Sequence, residues 1–231
     1  MKSHCILLIA IGAAGVPPAF ATQIADAPSA TLSVQAGASA VSSVSSVDFA
    51  VMRNGAQIGT NSIRFAHDGA DTKVQMVTHI KVGIAFLTLY RFDQTENEQW
   101  TDGRLLRMNA TTDDNGTVHR ASAVARNGKI VVQCDGRISA TPPSTIVPFN
   151  LWNPALVAQN VALDTRNGGL ETIRVEDRGE GNVMVQGRVR RAHHYQIVAT
   201  FPQDVWYDDS GQLVRVELKG SDGSTILYQM V

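Results

Sequence analysis

The sequence contains very little cysteine, and this shortage limits how the fold can be held together. Only Cys5 and Cys134 are cysteines among its 231 residues, and Cys5 lies within the N-terminal apolar run. If that run is removed on export, the remaining chain has no internal disulfide, unlike small disulfide-rich secreted domains. Cys134 alternates with Ile130 and Val132 in KIVVQC. We therefore expect it to be a buried small apolar residue, with a reactive or intermolecular thiol as the alternative.

Charge and aromatic side chains are also scarce. Charged residues make up 18% of the chain and the net charge is −1, with no basic block, so nucleic acid is not an expected partner. Aromatic residues make up only 6%, which disfavours an outer-membrane barrel with aromatic girdles. No apolar run after residue 21 is long enough for a transmembrane helix. The sequence also lacks a Gly-x-Ser-x-Gly elbow, a phosphate loop and a dinucleotide-binding glycine pattern.

The N terminus has the features of a secretory signal. Lys2 precedes the short apolar run CILLIAIGAAGV, and Ala19-Phe20-Ala21 fits a small-residue cleavage site. We assign residues 1–21 to a signal peptide cleaved near Ala21, residues 22–46 to a flexible leader rich in Ala and Ser, and residues 47–231 to a single β domain. Export without disulfides predicts a periplasmic or secreted bacterial protein.

Turn signals divide the chain after Val47 into alternating segments. Asn-Gly or Asp-Gly occurs eight times, and both dipeptides favour tight hairpin turns. In TKVQMVTHIKVGI, for example, Val74, Met76 and Ile80 share one face. The pattern predicts an all-β fold, a long and strongly curved antiparallel meander that forms a half-barrel or incomplete barrel. The expected strands cover residues 47–54, 57–67, 72–84, 86–101, 104–114, 117–126, 129–140, 161–166, 170–178, 182–200, 203–209, 212–220 and 224–230.

The segment PPSTIVPFNLWNPALVAQ, residues 142–159, interrupts this pattern with four prolines and large apolar side chains. Asn153-Pro154 is a favourable helix start, so one or two helical turns are expected over PALVAQ. We expect this short helix and its flanking loop to cover the concave, apolar face of the curved sheet. The cover is either a gate that opens or a rigid plug.

Candidate ligand-binding residues are the large apolar side chains of this cover and of nearby strands: Phe149, Leu151, Trp152, Tyr90, Phe92 and Trp206. No catalytic residue, cofactor or metal site is expected, because the histidines after residue 21 show no metal-ligand spacing. In DQTENEQWTDG, Glu96 and Glu98 lie beside Trp100, as paired acids do in glycoside chemistry. Since these two residues share one face of one strand, we expect them on a solvated edge.

Four blocks of the chain resemble an uncharacterised group of exported proteobacterial proteins, known as a domain of unknown function. The blocks are VMRNGAQIGTNSIRF, EQWTDGRLLRMNATTDDNGT, FNLWNP and VWYDDSGQLVRVELKGSDGSTILYQ. The resemblance covers nearly all of the chain after Val47 and implies no catalytic residues. The layout is similar, more remotely, to the half-barrel of periplasmic outer-membrane lipoprotein carriers and receptors, which implies acyl-chain or lipid-linked cargo. Those carriers have several helices, whereas one short helix is expected in this chain.

These observations favour a non-enzymatic periplasmic binding or carrier protein whose partner is a lipid or another apolar small molecule. The alternative is an envelope structural or assembly factor that acts through contacts with another envelope protein. A third hypothesis is an enzyme that uses Glu96, Glu98 and the histidines.

Overall fold

The fold is a single long antiparallel meander with one insertion. The computed structural model describes residues 43–84, 87–220 and 222–231. Its strands are β1 (Ser43–Arg53), β2 (Ala56–Asp68), β3 (Asp71–Ile84), β4 (Leu87–Thr101), β5 (Arg104–Asp114), β6 (Thr117–Arg126), β7 (Lys129–Cys134), β8 (Arg137–Ala140), β9 (Val147–Pro148), β10 (Val161–Asp164), β11 (Gly169–Thr172), β12 (Arg174–Val185), β13 (Arg188–Val198), β14 (Gln203–Asp208), β15 (Leu213–Lys219) and β16 (Thr225–Met230). Thirteen of them form one sheet in the order β12-β13-β14-β15-β16-β1-β2-β3-β4-β5-β6-β7-β8. The all-β, antiparallel prediction is confirmed.

Tight turns between neighbouring strands follow the dipeptides in the sequence. Asn54, Asp102, Asn115, Asn127 and Asp135 all have positive φ, and each is followed by a glycine with positive φ. Two successive positive φ angles define the type I′ turn, whose twist matches that of the paired strands. The turn at Asp135 also divides the expected strand 129–140 into β7 and β8.

Other expected strand boundaries are also wrong. The break expected near residues 179–181 lies inside β12, where Gly179 (φ 83°) forms a bulge against β13. The chain turns instead at Gln186 (φ 51°) and Gly187 (φ 71°), because a glycine allows this turn even after a residue that rarely initiates one. At the other end, β1 begins at Ser43 and pairs with β2, so residues 43–46 of the expected leader lie in a strand. The expected signal peptide and the rest of the expected leader, residues 1–42, lie outside the described residues.

The insertion, residues 141–173, joins the two edge strands β8 and β12. It contains a small sheet in which β10 pairs in parallel with β9 and in antiparallel with β11. It also contains the short helix that was predicted, a 3₁₀ helix over Pro154–Ala158. Asn153 caps this helix by accepting a 3.0 Å hydrogen bond from the Ala155 N–H.

Contacts of the insertion show how strongly the sheet is curved. Asn150 and Trp152 donate hydrogen bonds to Glu98 on β4, and the carbonyl oxygen of Leu151 accepts one from Tyr207 on β14. In the strand order β4 and β14 lie six spacings apart, which in a flat sheet would be about 29 Å. Three consecutive residues span only about 7 Å. The sheet must therefore curl around the insertion, although its edges β8 and β12 do not pair with each other.

The hydrophobic core fills the space between the curled sheet and the insertion. Phe49, Leu105 and Met108 from the sheet are fully buried with Leu156 and Leu163 from the insertion. The inward face predicted for β3 is confirmed, because Val74 and Met76 are buried. Within the described ranges, the chain forms no helix long and apolar enough to cross a bilayer.

Close packing of β2 on β3 depends on Gly59. A Cβ atom at this position would collide with the carbonyl oxygen of His79 and lie 2.9 Å from the Cα atom of Ile80. We expect Gly59→Ala to lower the free energy of unfolding by about 2 kcal/mol or more, measured by urea denaturation. The control is Gly181→Ala on β12, where a Cβ atom would have no neighbour within 4 Å. Equal effects of the two substitutions would contradict this close approach.

Candidate functional site: a cavity with a buried carboxyl pair

The concave face of the sheet and the insertion enclose a cavity of about 730 Å³. This volume lies in the range of small-molecule sites. Its apolar and aromatic lining consists of Ile58, Ile63, Met76, Ile80, Val82, Leu89, Tyr90, Phe92, Phe149, Leu151, Phe201, Leu213, Val216, Leu218, Ile226 and Tyr228. A smaller cavity of about 240 Å³ is lined mainly by polar and charged residues of β2 to β5. The larger cavity is therefore the candidate site.

Strand β4 provides one wall of the cavity, and the side chains that it places there change along the strand from aromatic to acidic. Its alternate residues Tyr90, Phe92, Gln94 and Glu96 all line the space. Leu89 (50% exposed) and Phe201 (52% exposed) also line it, so they mark the mouth where solvent enters. Glu96 is only 1% exposed, so it lies at the opposite, inner end. We use the name inner end for the part lined by Glu96, Asn150 and Thr165.

Beyond the inner end, Glu98 accepts hydrogen bonds from three buried or half-buried side chains. Its Oε2 accepts 2.9 Å bonds from the indole nitrogens of Trp100 and Trp152. Its Oε1 accepts a 2.6 Å bond from Asn150 Nδ2, which also lies 3.4 Å from Glu96 Oε1. Three N–H donors stabilise a carboxylate, so we place the negative charge of the carboxyl pair, Glu96 and Glu98, on Glu98.

Burial perturbs both acids of the carboxyl pair. Removal from water raises the pKa of Glu98 and raises the pKa of Glu96 well above its ordinary value. The shift at Glu96 is larger because the neighbouring negative charge of Glu98 adds to the cost of ionising it. Glu96 therefore keeps its proton under conditions in which a solvated glutamate is ionised.

The expectation that Glu96 and Glu98 lie on a solvated edge is wrong. Both are 1% exposed and lie on the inward face of a strand near the middle of the sheet. Both faces of β4 carry polar residues in this stretch, so polarity alone gave no reason to choose the inner one. The missed signal was spacing. Phe92, which was expected to be an apolar contact, alternates along β4 with the two acids and therefore shares their face of the strand.

The six residues predicted to bind ligand divide into two groups. Tyr90, Phe92, Phe149 and Leu151 line the cavity together, although they come from β4 and the insertion. Trp152 packs edge-on against Trp100, with ring centroids 5.6 Å apart, and does not line the cavity. Trp206 stacks on His194 at 4.2 Å, also away from the cavity lining. For the four residues that line the cavity, contact with a ligand stays a prediction. For the two tryptophans, their positions outside the lining do not favour it.

Hydrogen bonds hold the cover segment in place. The Phe149 N–H donates a 2.8 Å bond to the carbonyl oxygen of Leu163, and Tyr207 binds the Leu151 carbonyl oxygen at 2.8 Å. Leu151 itself adopts a positive φ of 66°, a conformation that surrounding contacts must maintain in a non-glycine residue. This anchoring favours the rigid plug over the gate. The segment forms the inner wall of the cavity and leaves the mouth open.

Histidines lie mainly in pairs with aspartates on the surface of the sheet. His79 binds Asp93 at 2.6 Å, and His193, His194 and His119 also bind aspartates. Donor atoms of His119, Cys134 and Asp135 lie within 4.8 Å of one another, a donor set that zinc accepts. Asp135 also accepts a hydrogen bond from the Arg120 N–H of the neighbouring strand β6, so the pairing of β6 with β7 accounts for this geometry. Cys134 is half-buried, and burial followed by the nearby Asp135 charge raises its pKa.

Fold and site together define an incomplete β-barrel with an internal cavity that opens at one end. The chain belongs to the family described as a domain of unknown function (DUF6134), which matches residues 49–231. The predicted membership of an uncharacterised family is thereby confirmed.

A solved structure with this architecture is the beta-barrel-like protein of domain of unknown function DUF1849 from Brucella abortus. The two are similar with a TM-score of 0.59 over 84% of this chain and 98% of that chain, at 10% sequence identity. At this identity the likeness shows the fold alone. No curated protein matches the chain.

Proposed function

We propose that the protein binds or carries a hydrophobic, lipid-like molecule in the cavity of the curled sheet. The observation that carries the proposal is the cavity of about 730 Å³ with its predominantly apolar and aromatic lining. Exposed apolar side chains such as Leu89 and Phe201 at the mouth suit a ligand that enters from solvent or from a lipid surface.

The expected affinity follows from the area that such a ligand removes from water. Each buried methylene contributes about 0.8 kcal/mol, so a fourteen-carbon chain contributes about 11 kcal/mol. Association costs at least about 4 kcal/mol in lost translation and rotation. The remaining 7 kcal/mol or so corresponds to a dissociation constant on the order of 10 μM. An affinity of this size suits a carrier that must also release its cargo.

We also propose that the protein is exported and acts in the bacterial envelope. The N-terminal signal-like sequence supports export. The incomplete barrel is similar in layout to periplasmic carriers of lipid-linked cargo, and this supports the proposal. The covering segment differs, because in this chain it is an insertion that contains one short helix. An envelope location would give the protein access to acyl chains at membrane surfaces.

One observation favours the second candidate function, an assembly factor in the envelope. Strand β12 is a twelve-residue edge of the large sheet, and it carries the exposed apolar residue Met184 (61% exposed). Open edges can pair with a strand of another protein. Under this function a protein would co-purify in constant proportion and no small molecule would.

The first test is mass spectrometry of an organic extract of the protein, expressed in a bacterial periplasm and purified without detergent. We expect a stoichiometric apolar molecule from wild type. The variant Ile80→Trp, in which an indole fills part of the cavity, should be purified without this molecule. Lys81→Trp is the matched control, because the neighbouring residue of β3 is exposed and does not line the cavity. A clean extract together with no saturable uptake of 1-dodecanol would contradict the proposal.

A further inference from the structure

We propose that the ligand carries a hydroxyl group, which enters the inner end first and donates a hydrogen bond to Asn150 Oδ1. This inference rests on the proposed function and specifies the chemical class of the ligand. It requires an apolar molecule with one neutral hydrogen-bond donor at the end that reaches the carboxyl pair.

Most polar side chains near the inner end already have partners. Asn61 Nδ2 donates to Thr78 Oγ1 at 2.8 Å, across the β2–β3 pair. Gln94 Nε2 donates to the hydroxyls of Thr112 at 3.2 Å and Thr165 at 3.3 Å. These bonds pair the amide nitrogens of Asn61 and Gln94 with threonine hydroxyls across the cavity wall.

Asn150 Oδ1 is the exception. Among the described residues it is a buried side-chain oxygen without a hydrogen-bond partner, and Asn150 lines the cavity. Rotation of the amide would not help, because it would turn Oδ1 toward the Glu98 carboxylate that Nδ2 now contacts at 2.6 Å. A buried carbonyl oxygen without a donor is costly, so a ligand hydroxyl that displaces the side chains covering Oδ1 and donates to it gains affinity there.

The surroundings select a neutral donor over a charged one. A carboxylate has no proton to donate and would approach the negative charge of Glu98. The cationic side chains Arg53 and Arg166 in the lining are already paired with aspartates. The third cation of the lining, Lys219, is exposed and donates to the Thr225 hydroxyl, so it places no charge at the buried inner end. An ammonium group brings three donors and a full charge to a place where one buried acceptor is unpaired. A hydroxyl group matches this buried oxygen.

The experiment compares two ligands of equal length, 1-dodecanol and undecyl methyl ether, by isothermal titration calorimetry. The ether keeps the oxygen and loses the donor. We expect it to bind about tenfold more weakly or worse, because Asn150 Oδ1 would remain unpaired. In Asn150→Leu the two ligands should bind alike. Phe201→Ala, at the mouth, should weaken both ligands by the same factor and preserve their ratio.

The outcomes separate this inference from the proposed function. Equal binding of the alcohol and the ether to wild type would overturn the inference and leave the cavity a binding site. Tighter binding of dodecanoate or dodecylamine than of dodecanol would also overturn it. No binding of any of the four ligands would contradict the proposed function itself.

Discussion

Replacement of Glu98 by alanine is expected to lower the free energy of unfolding by about 4 kcal/mol or more. The substitution removes the acceptor for the Trp100 and Trp152 indoles and for Asn150 Nδ2. A buried donor left without a partner costs about 1–3 kcal/mol, and three donors lose theirs here. The loss also removes two of the hydrogen bonds that join the insertion to β4. Urea denaturation monitored by tryptophan fluorescence measures the change.

Two further variants identify the cause of this loss. Glu98→Gln keeps one carbonyl oxygen that can accept two of the three bonds, so we expect a smaller loss of about 1–3 kcal/mol. Glu180→Ala is the control, because Glu180 is an exposed partner of Arg191 and its removal should leave stability almost unchanged. If Glu98→Ala were as mild as the control, the network around Glu98 would not hold the insertion.

The course of the chain could be predicted because its turns are determined locally. Two residues such as Asn115 and Gly116 are enough to fix a type I′ turn, whatever lies on the faces of the strands. The one misplaced hairpin shows the limit of this reasoning. Gln186 has no strong turn preference of its own, and Gly179 has the same positive φ in a bulge as other glycines have in turns.

The candidate site was only partly predictable, because it depends on contacts between distant parts of the chain. Residues 142–159 could be recognised as a cover, since prolines and apolar residues broke the alternation. Its polar residue Asn150, which reaches β4 from 52 residues away, gave no such signal. The burial of Glu98 depends on this long-range contact. Sequence alternation could therefore identify the wall of the cavity but not its inner end.

Stability is expected to fall as the pH rises above about 5, because burial raises the pKa of both Glu96 and Glu98. The folded pKa of Glu96 is raised well above the ordinary value of 4.5. Below that value the folded and unfolded chains both hold the proton, and the contribution of Glu96 to stability is fully present. At higher pH the unfolded chain releases the proton while the folded chain keeps it. Stability is then lost at up to about 1.4 kcal/mol per pH unit until the folded pKa is passed.

The substitution Glu96→Gln isolates this effect, because glutamine keeps a donor toward Glu98 and does not ionise. Aspartates with lowered pKa, such as Asp93 and Asp135, act in the opposite direction. Their contribution is complete above their ordinary pKa of 3.8, so it does not change between pH 5 and 8. Urea denaturation across that range should show wild type losing stability relative to Glu96→Gln, with the gap widening at each step. Parallel curves would mean that Glu96 is ionised in the folded protein, and the neutral inner end would then have to be abandoned.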